Sequence, residues 1–363
     1  MPEVTPAIPQ PSEVDEAFLT AVLRSAGHDV TVDAVDAGPV GTGQVGQCIR
    51  YRMSLSGDTD GCPSSLVGKF ASDDERSRST GVALRSYLKE VRFYQQLAER
   101  VSIPLPRCYH SAIDGEGPDF VLILEDLAPA EQGDQLDGCT VTEAEAAVAA
   151  LVGLHAPTWD DPSLVGIDWL GGRPSTGGDR AAPSEVAPLY GQLMGSFFDR
   201  FGDRLEADER QIIEQVASSS GPPWYHDGPT SLIHVDYRLD NLLFDHRRHP
   251  PAVTAVDWQS VTVGNPLSDV AYFIGAGLLP EVRRPAEKEL VWAYHRDLVA
   301  AGVDGYGWEG CWDDYRRGSF HGFAITVIAA TIVVETERGN DMFTAMARRH
   351  ARHAIDLGAA EFL

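Results

Sequence analysis

Lysine is the scarcest charged residue of this chain. Of its 29 lysines and arginines only Lys69, Lys89 and Lys288 are lysines, so a lysine at a motif position stands out. Basic charge is short overall: against 54 aspartates and glutamates, the 363 residues carry a formal charge of -25. A field of that sign opposes general binding to nucleic acid or to an anionic membrane, and any bound polyanion must be met by local cations or metal. The five cysteines, Cys48, Cys62, Cys108, Cys139 and Cys311, form no C-x-x-C pair. That excludes the usual zinc spacing and argues against a disulfide framework. Long apolar runs are also missing. The longest, near residues 323–334, falls short of the roughly 20 residues that span a bilayer and reads as a buried helix. Residues 1–11 show no basic n-region and no apolar h-region, so no signal peptide is expected and the expected compartment is the cytoplasm.

What is present is ordinary for a globular protein: 43% hydrophobic and 23% charged residues, with length enough for two cores. The first third is strand-rich. Residues 12–27 read as a helix with Ser12 as N-cap and Gly27 as stop. Residues 30–40 read as a strand. Residues 47–55 alternate, with Ile49, Tyr51, Met53 and Leu55 on one face, as a half-buried strand does. A short strand at 65–71 carries Lys69. A polar loop is expected at 73–80, an amphipathic helix at 82–100, and strands at 107–113 and 120–124. Composition then changes. Residues 127–139 read as a polar linker. Thr142 with Glu145 reads as a capping box opening a helix that ends near His155, whose ring is expected to pack in the core. A loop is expected at 171–183, and the remainder reads as helical except for a hairpin within 231–258, with strands at 241–245 and 253–257. On the last helix His350 and His353 lie three apart among arginines with no third ligand. They read as a solvated face. The aromatic residues from Trp292 to His321 read mostly as core. Two lobes with a cleft between them are expected, 1–126 and 127–363.

The strongest motif is His234-Val235-Asp236-Tyr237-Arg238-Leu239-Asp240-Asn241. An aspartate followed five residues later by an asparagine matches the catalytic loop of kinases, where the aspartate reaches the attacking hydroxyl and the asparagine reaches a magnesium on the phosphates. Sixteen residues on, Asp257 returns at the end of a hairpin and can share that metal, a carboxylate being the hard oxygen ligand magnesium prefers. The alternative is a surface hairpin with two turn aspartates. Gly41-Thr42-Gly43-Gln44-Val45-Gly46 fits G-x-G-x-x-G. A dinucleotide-binding reading needs a helix straight after it. An alternating strand follows instead, so Gly41, Thr42 and Gly43 are expected on a turn whose backbone N–H groups cover phosphates, a plain hairpin being the alternative. Lys69 on the next strand can bind phosphate oxygens, and Glu90 on the next helix can hold it there. Glu90 can equally belong to a charged face with Lys89 and Arg92. The segment at 122–127 is expected to be a hinge whose backbone, from Glu125 to Leu127, meets the adenine edge. Glu125 and Asp126 side chains serve there or simply cap the linker.

Together these residues resemble the aminoglycoside phosphotransferase and choline-kinase-like superfamily, over about residues 38–273. Asp257-Trp258-Gln259 is similar to its ecdysteroid-kinase-like branch, and Asp236 to Asn241 looks like bacterial members related to the kinase domains fused to acyl-CoA dehydrogenases. The resemblance implies an α+β, bilobal protein-kinase-like fold with a small antiparallel-sheet N-lobe and a larger, mostly helical C-lobe. It implies ATP and Mg2+, Asp236 as base, Asn241 and Asp257 as metal ligands, Lys69 on phosphate with Glu90 as its partner, and Asp269 bracing the catalytic loop. Val235 stands where the family usually has glycine, and no activation-loop signature follows Asp257. The expected partners are ATP and a small-molecule alcohol, with no protein substrate. The aromatic bias after 264 favours a steroid, a lipid-like alcohol or a hydroxyacyl thioester as acceptor. The rival readings are an aminoglycoside-type kinase, a nucleotide-binding pseudokinase without transfer activity, and a dinucleotide-dependent oxidoreductase.

Overall fold

A computed structural model describes residues 8–41, 46–171, 186–219 and 228–363. The chain divides into two compact units, 1–99 with 105–128, and 100–104 with 129–363.

The first unit is built on an antiparallel sheet. Its strands are β1 (Val30–Pro39), β2 (Gly46–Gly57), β3 (Ser65–Ala71), β4 (Cys108–Ile113) and β5 (Phe120–Glu125), in the order β1-β2-β3-β5-β4. Alternation along β2 turns Tyr51 and Met53 inward, onto Leu66, Phe70, Val121 and Ile123. Helix α1 (Glu16–Ser25) closes this core with Leu19, Val22 and Leu23. It starts later than expected, because Pro11–Glu13 makes a separate 3-10 turn and Asp15, not Ser12, is the cap, accepting the Phe18 N–H at 2.8 Å. A carboxylate there adds favourable charge at the helix N-terminus to the cap hydrogen bond.

Between β3 and β4 the expected loop at 73–80 is a helix, α2 (Glu75–Ala83), capped by Asp74 through the Ser77 N–H at 2.8 Å. Its first six residues are all polar, so no apolar stripe announces it. The single helix expected at 82–100 breaks at Arg85, which is left-handed (φ 56°), and resumes as α3 (Ser86–Gln96). That break packs the Tyr87 ring against Gly81, where an added Cβ would lie 2.5 Å from it.

The second unit is mostly helical. Its helices are α4 (Val141–His155), α5 (Val186–Phe201), α6 (Ala207–Ser218), α7 (Leu267–Gly277), α8 (Pro280–Ala300), α9 (Trp308–Gly318), α10 (His321–Ile332) and α11 (Glu337–Asp356). Two small antiparallel sheets are embedded: β7 (Ser231–Ile233) with β10 (Thr262–Gly264), and β6 (Glu131–Gln132) with β8 (Leu242–Asp245) and β9 (Ala252–Ala255). Helix α7 is buried at every residue, hence its mostly apolar sequence, with Asp269 and Tyr272 among its polar exceptions. Helix α4 opens two residues early. Thr140 rather than Thr142 caps it, its hydroxyl accepting from the Glu143 N–H (3.3 Å) while the Glu143 carboxylate accepts from the Thr140 N–H (2.8 Å). Beyond Gly171, the loop expected at 171–183 lies outside the described residues.

The histidines of α11 reverse their expected setting. His350 and His353 are fully buried, while Arg352 between them faces outward onto Asp208 and Glu209. The two rings prolong the inward stripe of Met342 and Met346, and the absent side chains of Gly275 and Gly322 leave them room. Among the flagged aromatics Tyr294, Tyr315, Phe320 and His321 are buried, while Trp292 is exposed and meets Trp308 edge-on.

Candidate active site

In the second unit, β7 hands the chain to residues 234–241, which end in a 3-10 turn, Leu239–Asn241, before β8. Asp269, in the first turn of α7 and fully buried, shapes this loop. Its carboxylate accepts from the backbone N–H of His234 (2.6 Å) and of Val235 (2.9 Å), and lies 3.4 Å from His155 Nε2. Burial pushes its pKa up, but His155, His234 and these N–H groups outweigh that and hold it below the usual carboxylate value. Val235 is left-handed at φ 75°, a region a β-branched residue rarely enters, which is why glycine suits the position.

Asp236 follows. Its Oδ1 accepts from the Tyr272 hydroxyl on α7 (2.8 Å). Its Oδ2 accepts from Asn241 Nδ2 (2.9 Å), and Arg238 Nε lies 3.1 and 3.2 Å from the two oxygens. Asn241 Nδ2 also donates to the Asp236 carbonyl (2.9 Å). Arg238 bridges to Asp240 at 2.5 Å, and Arg338 approaches the other Asp240 oxygen at 3.3 Å. Burial works against the Arg238 charge, yet Asp236 and Asp240 overcome it and raise its pKa, so it remains a cation. Asp257 lies just past β9 rather than on it. It is left-handed (φ 66°) and leads into the 3-10 turn Trp258–Ser260. Its neighbour Val256 donates its N–H to the Asn241 carbonyl (3.0 Å) and accepts from His234 Nε2 (3.0 Å), tying the end of the hairpin to the 234–241 segment. Gln259 Nε2 donates to the Asp257 carboxylate at 3.3 Å.

In the first unit, Lys69 on β3 pairs with Glu90 on α3, Nζ lying 2.8 and 2.7 Å from the two carboxylate oxygens. Glu90 is 2% exposed, so the charged-face alternative for it does not hold. Gly41 is left-handed (φ 77°) beyond the end of β1, and Gly46 opens β2, where a Cβ would meet the Phe70 carbonyl at 2.9 Å. These glycines bracket an antiparallel hairpin rather than a strand–helix turn, which removes the dinucleotide reading. Thr42 and Gly43 lie outside the described residues. The Glu125 N–H is spent on the Arg107 carbonyl (2.8 Å), and its carboxylate accepts from the Arg107 N–H (3.1 Å). Leu127 is half-buried. Asp126 is a scaffold residue, accepting from Ser65 Oγ (2.7 Å) and paired with Arg50 (2.8 Å).

The fold thus gathers Asp236, Asn241 and the Asp257 turn in one unit, and Lys69 with Glu90 in the other. Arg238, Asp240, Tyr272 and the His155–Asp269 contact went unread in the sequence. One sign was there: a tyrosine in a mostly apolar helix needs a partner for its hydroxyl.

A model of the phosphotransferase enzyme family matches residues 66–317, more than half of the chain. The chain belongs to that family. Among solved structures, choline kinase from Cryptosporidium parvum superposes with a TM-score of 0.52 at 10% identity, covering 90% of this chain and 91% of that one. The GDP complex of wild-type aminoglycoside 2'-phosphotransferase-IIIa gives 0.50 at 13% identity, covering 93% and 98%. At these identities the likeness is one of fold: this phosphotransferase has the α+β, kinase-like fold in two units. Human acyl-CoA dehydrogenase family member 11 is 44% identical over 48 residues, which are 13% of this phosphotransferase and 6% of that protein. The chain therefore spans only a small part of the curated relatives it matches. Among the described residues, no helix is long and apolar enough to cross a membrane.

Proposed function

We propose that this phosphotransferase moves the γ-phosphoryl group of ATP to the hydroxyl of a small-molecule alcohol. One observation carries the reading: the Asp236 carboxylate is fixed by Tyr272, Arg238 and Asn241, with the Asp257 turn tied to Asn241 through Val256. A carboxylate so held can orient an incoming hydroxyl and accept its proton. The alcohol oxygen bonds to the γ-phosphorus, the bond from that phosphorus to the ADP oxygen breaks, and the hydroxyl proton passes to Asp236. Lys69, kept in place by Glu90, would offer its ammonium to the α- and β-phosphates, and the hairpin at Gly41 would cover them.

The residues present fit magnesium. The Asn241 amide nitrogen is spent on Asp236, which leaves its carbonyl oxygen for a cation, and Asp257 adds a carboxylate. Two hard oxygen donors from protein are what magnesium commonly takes alongside phosphates and water. Bound there, it would neutralise charge on the phosphates.

For the acceptor we favour an apolar alcohol, with hydroxyacyl thioesters first, a reading supported by the aromatic bias of the second unit and by the short match to the acyl-CoA dehydrogenase family member. The test is ATP consumption over a panel of hydroxyacyl thioesters, steroid and lipid alcohols and amino sugars. Asp236→Ala is expected to abolish transfer yet leave the rise in Tm caused by ATP and magnesium largely intact, whereas Asp257→Ala removes the magnesium-dependent part of that rise. Wild-type turnover by Asp236→Ala overturns the assignment. Turnover confined to amino sugars moves the acceptor to that class. Tight binding of ATP without turnover of any alcohol replaces transfer with nucleotide binding alone.

A further inference from the structure

Helix α7 reaches the catalytic-loop segment twice within one turn. Asp269 bonds the backbone at His234 and Val235, and Tyr272, three residues on, bonds the Asp236 side chain at 2.8 Å. Helical spacing puts both side chains on the same face. The Tyr272 ring cannot move freely. It stacks on His350 with ring centres 5.2 Å apart and planes 18° apart, and it meets His321 edge-on at 6.0 Å. His350 is fully buried, and neither of its ring nitrogens has a hydrogen-bond partner among the described residues. Such a group calls for an explanation. The ring is held there by its stack: Gly322 and Gly275 leave the space that it fills, and its face lies against Tyr272. Burial, and the Asp236 charge after it, keep the phenol protonated and therefore a donor.

We propose that Tyr272, backed by His350, is a positioning residue that fixes the Asp236 carboxylate in the orientation that receives the acceptor hydroxyl. This role rests on the phosphotransfer reading above. Without the Tyr272 hydroxyl, Oδ1 keeps, among the described residues, its longer contact to Arg238, and the carboxylate gains freedom to turn. Misplacement of a reacting group by about 1 Å costs roughly 100-fold in rate.

The experiment is steady-state kinetics on the full chain, with the best acceptor of the panel and, separately, with water as acceptor. Tyr272→Phe keeps the ring and its stack, so the fold is retained. We expect kcat to fall about 10- to 100-fold, with the KM for ATP and the ATP-induced rise in Tm unchanged. In an Asp236→Ala background, whatever slow ATP turnover to water survives the loss of the carboxylate should change by no more than about twofold on the same substitution, because its effect runs through Asp236. His350→Leu should lower kcat and His350→Phe should restore it, since only the latter keeps a ring against Tyr272. Wild-type kcat in Tyr272→Phe overturns the role, as does an undiminished loss in the Asp236→Ala background. A wild type that neither transfers phosphoryl nor hydrolyses ATP overturns the phosphotransfer reading first, and this role with it.

Discussion

At the scale of single residues, strain and pairing separate what the sequence discloses from what it hides. Asp236, Asn241 and Asp257 could be singled out because their proposed roles impose a spacing, and Lys69 because lysine is so rare here. The donors that hold Asp236 were not, because Tyr272 and Asp236 are 36 residues apart and meet only through the packing of α7. Val235 was legible as a departure, and the structure gives it a physical content. At φ 75° a β-branched side chain crowds the backbone, and the conformation persists because the buried Asp269 holds its N–H at 2.9 Å. A left-handed L-residue costs about 1–2 kcal/mol, of which glycine in an unfolded chain gives back about 0.5–1 kcal/mol in entropy. Val235→Gly should therefore stabilise the protein by roughly 0.5–1 kcal/mol, with transfer activity retained because Asp269 still holds the loop. Urea unfolding measures this. A loss of stability would mean that side-chain packing at Val235 outweighs the backbone strain.

At the scale of elements, the strands of the first unit were read well, the short strands β6, β7 and β10 of the second were missed, and helix ends were read poorly. The alternation in β2 and the bounds of β3 follow from side-chain period alone. Helix α2 was missed because it buries so little, with only Ser77 and Gly81 inside and a cap at Asp74 in place of an apolar stripe. Helix α4 shows a different difficulty. Its sequence holds two overlapping capping frames, Thr140 with Glu143 and Thr142 with Glu145, and a pattern cannot rank them. The structure uses the first, which gains two residues of helix and satisfies an N–H at each end of the box. The frames make opposite predictions. Thr140→Ala should cost about 1 kcal/mol, the usual price of an N-cap, while Thr142→Ala should sit within about 0.5 kcal/mol of wild type. Thermal unfolding of the two variants decides between them, and equal losses would remove the assignment of Thr140.

At the scale of the whole molecule, the division into a sheet unit and a helical unit was visible in composition, but the acid response was not, because two of the histidines that set it, His350 and His353, read as solvent-facing. His321, His350 and His353 are buried where α10 and α11 pack with α7. Burial holds the pKa of each below the usual imidazole value. For His353, Glu287 pulls the other way without prevailing, and Tyr315 meets its Nε2 at 2.9 Å. The sign of the linkage follows. An unfolded chain takes up these protons near pH 6.5, before the folded chain does, so their contribution is complete above about pH 6.5 and is lost as pH falls below it. Asp269 and Asp240, whose pKa values are lowered in the fold, lose their contribution only below the ordinary carboxylate range near pH 4, so the two windows separate. Each histidine adds a slope of up to about 1.4 kcal/mol per pH unit. Unfolding free energies measured from pH 7.5 to 5 should therefore be flat at first and then fall steeply. His350→Phe, which keeps the ring against Tyr272 but cannot titrate, should make that fall shallower by up to about 1.4 kcal/mol per pH unit. An unchanged slope in the variant, or no fall at all in the wild type, would show that His350 is not held neutral between these helices.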